Sequence, residues 1–155
     1  MAESWRTRFW RWGFNLFPAY RGTGGSVTYI AADWREVRVR LPLNLFTRNY
    51  VGTIYGGSIY GAIDPIYMLM LIQNLGKAYI VWDKAADIRF KKPGRSTLYA
   101  TFKLDETELD AIRAALVTER SVDRVYQVEL ADKTGLVCAT IAKTLYVRRA
   151  DAEGK

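Results

Sequence analysis

Residues 54–75 read IYGGSIYGAIDPIYMLMLIQNL, and this apolar stretch with one charged residue, Asp64, decides the fold. Its length approaches that of a helix that crosses a membrane. The glycine pair at 56–57, the Asp64-Pro65 step in the middle and the lack of a second such stretch argue against a membrane span. A helix that is apolar on all sides is also typical of the interior of a soluble domain. The stretch therefore predicts a buried central helix that the rest of the chain surrounds.

The segments around this helix have the alternating pattern of strands. Val37, Val39 and Leu41 lie on one face of residues 36–41, and arginines lie on the other. Further strands are expected at residues 26–31, 79–92, 96–104, 124–131 and 136–148. The order predicts an α+β fold in which a mostly antiparallel sheet curls around one buried helix.

Two turns and one helix start are also visible in the sequence. Pro93-Gly94 is expected to turn the strand at 79–92 back into the next strand, and residues 132–135 are expected to join the last two. Asp105 is placed to cap a short helix, with Glu108 at the third helical position.

The composition limits the chemistry that the chain can perform. The 155 residues suffice for one domain, and they include no histidine and one cysteine. These counts exclude Ser-His-Asp and Cys-His catalytic systems, His-ligated metals and an internal disulfide framework. A carboxylate must therefore carry out any proton transfer, unless lysine, tyrosine or cysteine has a shifted pKa. We expect no metal, and a reducing, cytoplasmic location.

The net charge of +7 favours an anionic partner, such as nucleic acid, anionic lipid or a phosphate-bearing molecule. Nucleic acid has only this net charge in its favour, and we do not expect it as a partner. No Walker or Rossmann glycine pattern is present in the sequence.

The N-terminal residues 1–22 form a helical segment in which aromatic residues alternate with arginines. On a helix, Trp5, Phe9, Trp12 and Leu16 share one face. The preferred interpretation is a terminal helix docked on its own domain; the alternative is a helix on a membrane surface, for which this composition is typical. Residues 23–150 are then a single domain, and residues 151–155 a disordered tail.

Asp64 is the residue that the sequence singles out, because an ionised carboxylate inside an apolar helix is costly unless it is paired, hydrogen-bonded or wet. Helical spacing gives it the neighbours Tyr60, Gly61, Tyr67 and Met68, which could line a small polar pocket beside an apolar wall. Two interpretations are open. Asp64 is a general base, or it is a structural carboxyl that is hydrogen-bonded to a tyrosine or ends a helical segment before Pro65.

The glycine pair is the second signal. Gly56 and Gly57 at a helix start allow close approach to the backbone and leave N–H groups that could hold a developing oxyanion. An ordinary tight turn into the helix is the alternative.

Residues 49–57, NYVGTIYGG, followed by Asp64, resemble the signature of hot-dog-fold acyl-CoA thioesterases of the PaaI-like group. Those enzymes carry Asn, then Gly-Thr-x-His-Gly-Gly, then an acidic residue seven positions after the second glycine. The wider chain, including residues 12–15, 82–84 and 146–149, is similar to an uncharacterised bacterial branch of that superfamily, a domain of unknown function.

The resemblance implies a long central helix wrapped by five or six antiparallel strands. It also implies a dimer or a dimer of dimers, with active sites at the subunit interface. Asp64 would be the base or nucleophile, the Gly57 N–H would polarise the thioester carbonyl, and Asn49 would position the water or the carbonyl. This sequence departs from the signature at Tyr55, where the thioesterases have histidine, and at Pro65, directly after the carboxylate.

Further residues are expected to contact the substrate, of which coenzyme A is a part, so that no separate cofactor is needed. Basic residues around Pro93 would meet its phosphates, with the alternative that they are a solvated turn. The expected substrate-binding residues are Tyr55, Gly56, Tyr60, Tyr67, Met68, Lys91, Lys92 and Arg95.

Two functions remain open from the sequence. The first is carboxylate-dependent hydrolysis of an acyl-CoA or another acyl thioester. The alternative is a non-catalytic module that binds an acyl chain or acyl-CoA, which the departures at Tyr55 and Pro65 favour. Peripheral association with a membrane is compatible with this alternative.

Overall fold

The elements are taken from a computed structural model, which describes residues 1–152. The helices are α1 (Trp5–Leu16), α2 (Pro18–Arg21), α3 (Gly56–Ile63), α4 (Ile66–Leu75) and α5 (Glu106–Thr118). The strands are β1 (Ser26–Ile30), β2 (Glu36–Leu41), β3 (Tyr79–Phe90), β4 (Leu98–Lys103), β5 (Ser121–Ala131) and β6 (Val137–Arg149), and a short 3-10 turn covers Ala150–Ala152. Of the predicted disordered tail, residues 153–155 lie outside the described residues.

All six strands form one antiparallel sheet in the order β1-β2-β4-β5-β6-β3. The sheet buries alternate residues of each inner strand, as the period of two requires. Leu98, Ala100 and Phe102 of β4 are buried as predicted. Burial of each large apolar side chain contributes roughly 1.5–3 kcal/mol to the free energy of folding. The α+β expectation of an antiparallel sheet that packs on a central helix is therefore confirmed.

The apolar stretch forms a helical rod of two segments, α3 and α4, with a break at Asp64 and Pro65. We call α3, α4 and these two residues the central rod. Pro65 has no N–H to donate to the preceding turn, which interrupts the hydrogen bonding of a continuous helix. The backbone stays helical on both sides, because the Asp64 N–H donates to the Tyr60 carbonyl and the Leu69 N–H to the Pro65 carbonyl.

The predicted turn at Pro93-Gly94 does not make a hairpin, so that prediction is wrong. β3 pairs with β6 at the edge of the sheet, whereas β4 pairs with β2 and β5 in its middle. The Gly94 carbonyl accepts a hydrogen bond from the Ile54 N–H, which carries the connection past the start of the central rod. The hairpin between β5 and β6 over residues 132–135 is observed, and the Asp105 side chain caps α5 through the Glu108 N–H.

Helix α1 docks on β1, but not through the face that carries its largest apolar residues. Its inner face is fixed by the Asn15 side chain, which bonds both the N–H and the carbonyl of Val27 at 2.8 Å. The opposite face is exposed: Trp5 by 80%, Phe9 by 77% and Trp12 by 63%, with Leu16 beside them. We call these four residues the aromatic stripe.

The central rod is not a membrane span. Within residues 1–152, no helix combines the length and the apolar character that crossing a bilayer requires.

Candidate functional site

Asp64 lies at the break of the central rod and forms an ion pair with a lysine of the sheet. Its Oδ1 atom accepts a hydrogen bond from Nζ of Lys143 at 2.5 Å. Lys143 comes from the inward-facing row of β6 and is 1% exposed, whereas the Asp64 side chain is 39% exposed. The carboxylate is thus paired on its inner side and accessible on its outer side.

Lys143 is also bonded to two other groups. Its Nζ lies 2.9 Å from Oδ1 of Asp83 and 3.2 Å from the Tyr60 hydroxyl, so all three ammonium protons have an acceptor. Burial alone would lower the pKa of Lys143, but the hydrogen bonds to Asp64, Asp83 and Tyr60 outweigh it and raise that pKa above its ordinary value. We call Asp64, Asp83, Lys143 and Tyr60 the lysine cluster.

Two acidic groups of the lysine cluster, Asp83 and Tyr60, have pKa values above their ordinary values. Burial raises the pKa of Asp83, and the hydrogen bond from Lys143 opposes this only in part. Burial also raises the pKa of Tyr60, and the neighbouring Asp64 carboxylate adds to the effect. In both groups the loss of contact with water disfavours the ionised form more than the Lys143 ammonium favours it.

An apolar hollow of about 360 Å³ opens beside Asp64, between the N-terminal helices and the central rod. Its lining includes Phe14, Phe17, Tyr20, Asp64, Pro65 and Met68. We call it the Asp64 hollow. Met68 therefore lies beside Asp64 as the helical spacing predicts, and Asp64 is the charged side chain in an otherwise apolar wall.

Tyr67 does not join Asp64, in contrast to the prediction. It is buried and packs against Phe102 and Tyr126, with its ring centroid 4.6 Å from that of Tyr126. Its hydroxyl donates to the Gln127 carbonyl. The helical break at Pro65 precedes Tyr67, and the side chain points into the sheet.

The start of α3 presents the backbone of the glycine pair. Ser58 and Ile59 donate their N–H groups to the Tyr55 carbonyl, so the N–H groups of Gly56 and Gly57 precede the first bonds within the helix. Gly57 is exposed, and the Tyr55 ring lies directly against it: a Cβ added to Gly57 would be 2.3 Å from Tyr55 Cε1. The glycine is what allows this approach.

The Asn49 side chain shapes the loop that precedes the glycine pair. Its Oδ1 accepts hydrogen bonds from the N–H groups of Val51 and Thr53, and its Nδ2 donates to the Thr53 hydroxyl at 2.9 Å. These are the bonds of a local turn, in which an asparagine side chain takes the place of backbone groups. Asn49 thus orders the loop.

A second hollow, of about 430 Å³, connects Asn49 with the start of α3 and the end of β3. Its lining includes Asn49, Gly56, Phe90, Lys91, Lys92 and Gly94. We call it the Asn49 hollow. The structure therefore brings Lys91 and Lys92 to the same hollow as Gly56, whereas Arg95 is exposed and is not part of this lining.

The two halves of the predicted site are separate within one chain. Gly57 and Asp64 are seven positions apart on a helical path that rises 1.5 Å per residue, so roughly 10 Å separates them along the axis. A carbonyl oxygen on the Gly57 N–H is therefore out of reach of the same chain's Asp64.

Sequence reasoning missed Lys143 and Asp83. The signal for Lys143 was present: it is a charged residue in the inward register of β6, where Ala139, Ile141, Leu145 and Val147 alternate with outward residues. A buried lysine needs anionic partners, so it should have been paired with Asp64. Within residues 1–152, no group of three metal-ligating side chains comes together.

Comparisons with known proteins agree with this architecture. A family model described as a domain of unknown function, DUF4442, matches residues 6–147. None of the curated proteins matches the sequence.

Solved structures with the same fold include proteins described as thioesterases. A Pseudomonas aeruginosa protein of unknown function, described as a probable thioesterase, superposes with a TM-score of 0.81 at 17% identity, over 96% of this chain and 99% of its own. A thioesterase from Haemophilus influenzae superposes with a TM-score of 0.65 at 16% identity, over 88% of this chain and 87% of its own. A mutant thioesterase from Pseudomonas aeruginosa superposes with a TM-score of 0.68 at 11% identity, over 91% of this chain and 93% of its own. At these identities the matches show the fold alone, which is the hot-dog fold.

Proposed function

This chain belongs to the DUF4442 family, and we propose that it hydrolyses an acyl thioester, with acyl-CoA as the substrate class, by means of the Asp64 carboxylate. The observation that carries the proposal is the accessibility of Asp64. It is the one charge of a buried helical rod, yet it keeps an open side toward an apolar hollow. A purely structural carboxyl does not need such an opening.

The reaction needs a base, an oxyanion site and a place for the leaving group. Asp64 takes a proton from water, and the hydroxide attacks the thioester carbon. The Gly57 N–H, at the positive end of the α3 dipole, stabilises the oxyanion that forms. The carbon–sulfur bond then breaks, and the thiolate receives the proton from Asp64. The products are a carboxylic acid and a free thiol.

The charges around the Asn49 hollow fit the coenzyme A part of the substrate. Lys91 and Lys92 are exposed at its rim, and their backbone N–H groups donate to the Cys138 carbonyl, which fixes the position of this segment. Ammonium groups here can form charge-assisted contacts with phosphates.

The site is completed by a second copy of the chain, because one copy cannot bring Gly57 and Asp64 to the same carbonyl. The edge strand β3 supports this arrangement: its 12 residues present an unpaired edge, and Trp82 and Phe90 on it are exposed. A long unpaired strand edge offers backbone N–H and C=O groups with which a strand of another chain can pair. Tyr50 and Tyr55 in the adjoining loop are exposed as well.

The principal test is thiol release from a panel of short to long acyl-CoA substrates. Asp64→Asn should lower kcat/KM by about 100-fold or more, as expected for loss of a general base. Asp110→Asn, an exposed carboxylate on α5, is the matched control and should retain activity. Equal rates for wild type and Asp64→Asn, or no thiol release from any substrate, would contradict the proposal.

Mixing two inactive variants tests the shared site. Asp64→Asn supplies an intact Gly57 half, and Gly57→Val supplies an intact Asp64 half. Random dimers of the two should recover about a quarter of the wild-type sites, since half the dimers are hybrids with one complete site of two. If mixing restores no activity while each variant still dimerises, the two halves do not meet across subunits.

Binding without turnover is the second candidate, and the position of Tyr55 favours it. Its ring packs on Gly57, the residue whose N–H would hold the oxyanion, and a phenol is a poor proton shuttle near neutral pH. Native mass spectrometry of freshly purified protein would then show a retained acyl or acyl-CoA ligand. Absence of a ligand, together with no thermal shift on adding coenzyme A esters or fatty acids, would contradict this candidate.

A further inference from the structure

The aromatic stripe of α1 is an exposed apolar surface that the fold does not use. Trp5, Phe9, Trp12 and Leu16 follow one another at helical spacing and all face solvent, with Phe17 exposed at the end of the helix. Contiguous apolar patches of this kind mark interaction sites.

The stripe cannot turn inward, because the opposite face of α1 is fixed to the domain. Thr7 is buried, the Trp10 ring packs edge-on against Trp34, and Asn15 bonds both backbone groups of Val27. Rotation of the helix would break these contacts. The outward orientation of the stripe is therefore built into the packing.

The charges around the stripe complement an anionic surface. At 100° per residue, Arg6 lies on one flank of the stripe and Arg8 on the other, and both are exposed. Residues 1–25 contain four arginines and one acidic residue, Glu3, which pairs with Arg11 at 2.8 Å. Arg8 is 3.7 Å from Glu3 but keeps a 64% exposed side chain.

We propose that α1 docks the protein on the surface of an anionic lipid bilayer. The aromatic stripe enters the interface between head groups and acyl chains, and Arg6 and Arg8 contact the phosphates on either side. Tryptophan and phenylalanine on the apolar face with arginine beside them is the composition of helices that lie in this interface. Within residues 1–152 no helix is both long and apolar enough to span a bilayer, so the proposed association is a peripheral one.

The position of the Asp64 hollow gives this docking a consequence, which rests on the proposed thioesterase function. Phe14 of α1 and Phe17, which follows directly after α1, line the hollow together with Met68 and Asp64. Because Phe17 is exposed and follows directly after the stripe, docking would bring one wall of the hollow close to the bilayer. This placement favours acyl groups that partition into lipid, and so acyl groups of membrane-lipid length, as substrates.

The test is co-sedimentation of the full-length protein with vesicles of phosphatidylcholine alone or with phosphatidylglycerol. Wild-type protein should bind the vesicles that contain phosphatidylglycerol, and it should be released from them as the salt concentration is raised. Trp5→Ser/Phe9→Ser/Trp12→Ser should weaken binding by about a thousandfold, which abolishes co-sedimentation, because each of the three aromatic rings moved out of water contributes about tenfold. Arg6→Gln/Arg8→Gln should weaken it about fivefold for each arginine at low salt.

Val117→Ser/Val125→Ser is the matched control, since both valines are exposed on other elements; it should bind vesicles as wild type does. Equal binding by wild type and the triple variant would overturn the proposal. So would a triple variant that changes from dimer to monomer without lipid, because a second copy would then cover the stripe. Vesicle binding needs no catalysis, so the Asp64→Asn variant should bind normally, and failure of the thioesterase proposal would leave this result unchanged.

Discussion

Lys143 Nζ lies 2.5 Å from Asp64 Oδ1, and this contact joins the inward row of β6 to the break in the central rod. The pair is asymmetric, because the lysine is buried and the carboxylate is partly exposed. Asp83 and Tyr60 complete the shell of the ammonium. A buried cation with three acceptors fixes the position of Asp64 relative to the sheet, and thereby the position of the proposed base.

Removing the lysine should therefore destabilise the fold. Lys143→Met leaves Asp64 and Asp83 close together without their shared cation, and we expect a loss of about 1–3 kcal/mol in the free energy of unfolding at neutral pH. Urea denaturation measures it. Lys103→Met, an exposed lysine on β4, is the control and should change stability by less than about 0.5 kcal/mol. The triple variant Lys143→Met/Asp64→Asn/Asp83→Asn should recover part of the loss, because it removes every charge of the cluster. A triple variant no more stable than Lys143→Met would contradict the charge argument.

Because of the lysine cluster, we expect the free energy of unfolding to depend on pH in the alkaline range. Burial alone would lower the pKa of Lys143, but its hydrogen bonds raise that pKa in the folded state above the unfolded value of about 10.4. The contribution of Lys143 is therefore fully present below the unfolded pKa and is lost as pH rises through the folded pKa. The stability difference between wild type and Lys143→Met should stay constant from neutral pH to about pH 9 and shrink at higher pH. Urea unfolding from pH 7 to 11 tests this, and a difference that grows with pH would count against it.

The sequence predicted the parts of this arrangement that depend on local pattern. The apolar stretch around Asp64 indicated the central helix, and strand alternation placed β2 and β4. The capping role of Asp105 followed from the spacing to Glu108. Each of these is decided by neighbours within a few residues.

The parts that depend on distant contacts could not be predicted from local pattern. Pro93-Gly94 has the composition of a hairpin turn, but β4 pairs with β2 because Leu41 and Leu98 align in the middle of the sheet. Asn15 decides which face of α1 docks on the sheet, and its partner Val27 lies 12 residues further along the chain. Helical spacing also placed Tyr67 beside Asp64, whereas aromatic partners on the sheet hold it elsewhere.

A second charged contact should control stability at acid pH. Glu108 of α5 accepts hydrogen bonds from Arg124 Nε at 2.8 Å and from the Tyr126 hydroxyl at 2.7 Å. Burial opposes ionisation, but these bonds prevail and lower the pKa of Glu108 below its ordinary value. Its stabilising contribution is therefore present above the unfolded pKa of about 4.3 and is lost as pH falls through the folded value.

Glu108→Gln should thus lower the free energy of unfolding at pH 7 by about 1–2 kcal/mol. The gap to wild type should narrow below about pH 4, where the wild-type carboxylate becomes protonated. Urea unfolding at several pH values measures both effects. Glu129→Gln, an exposed glutamate on β5, is the matched control. A gap that persists unchanged at pH 3 would mean that packing, not charge, is responsible.

Two glycines that face different neighbours should differ in how much stability they lose on substitution by alanine. A Cβ on Gly25 would lie 2.6 Å from the Cβ of Ala62, which is buried in the last turn of α3, and neither backbone can yield easily. A Cβ on Gly57 would lie 2.3 Å from the Tyr55 ring, which is exposed and can rotate away. We therefore expect Gly25→Ala to cost about 1–3 kcal/mol. Gly57→Ala should be nearly neutral, since alanine also favours the helix by up to about 1 kcal/mol.

Urea unfolding of the two variants, with Gly57→Ala/Tyr55→Ala alongside, separates the causes. If the Tyr55 ring simply moves, the double variant is as stable as Gly57→Ala. If Gly57→Ala is instead as costly as Gly25→Ala and the double variant restores stability, then Tyr55 is held rigidly over the glycine. The start of α3 would then be closed in the free protein, and a ligand that reaches the Gly57 N–H would first have to displace the phenol ring.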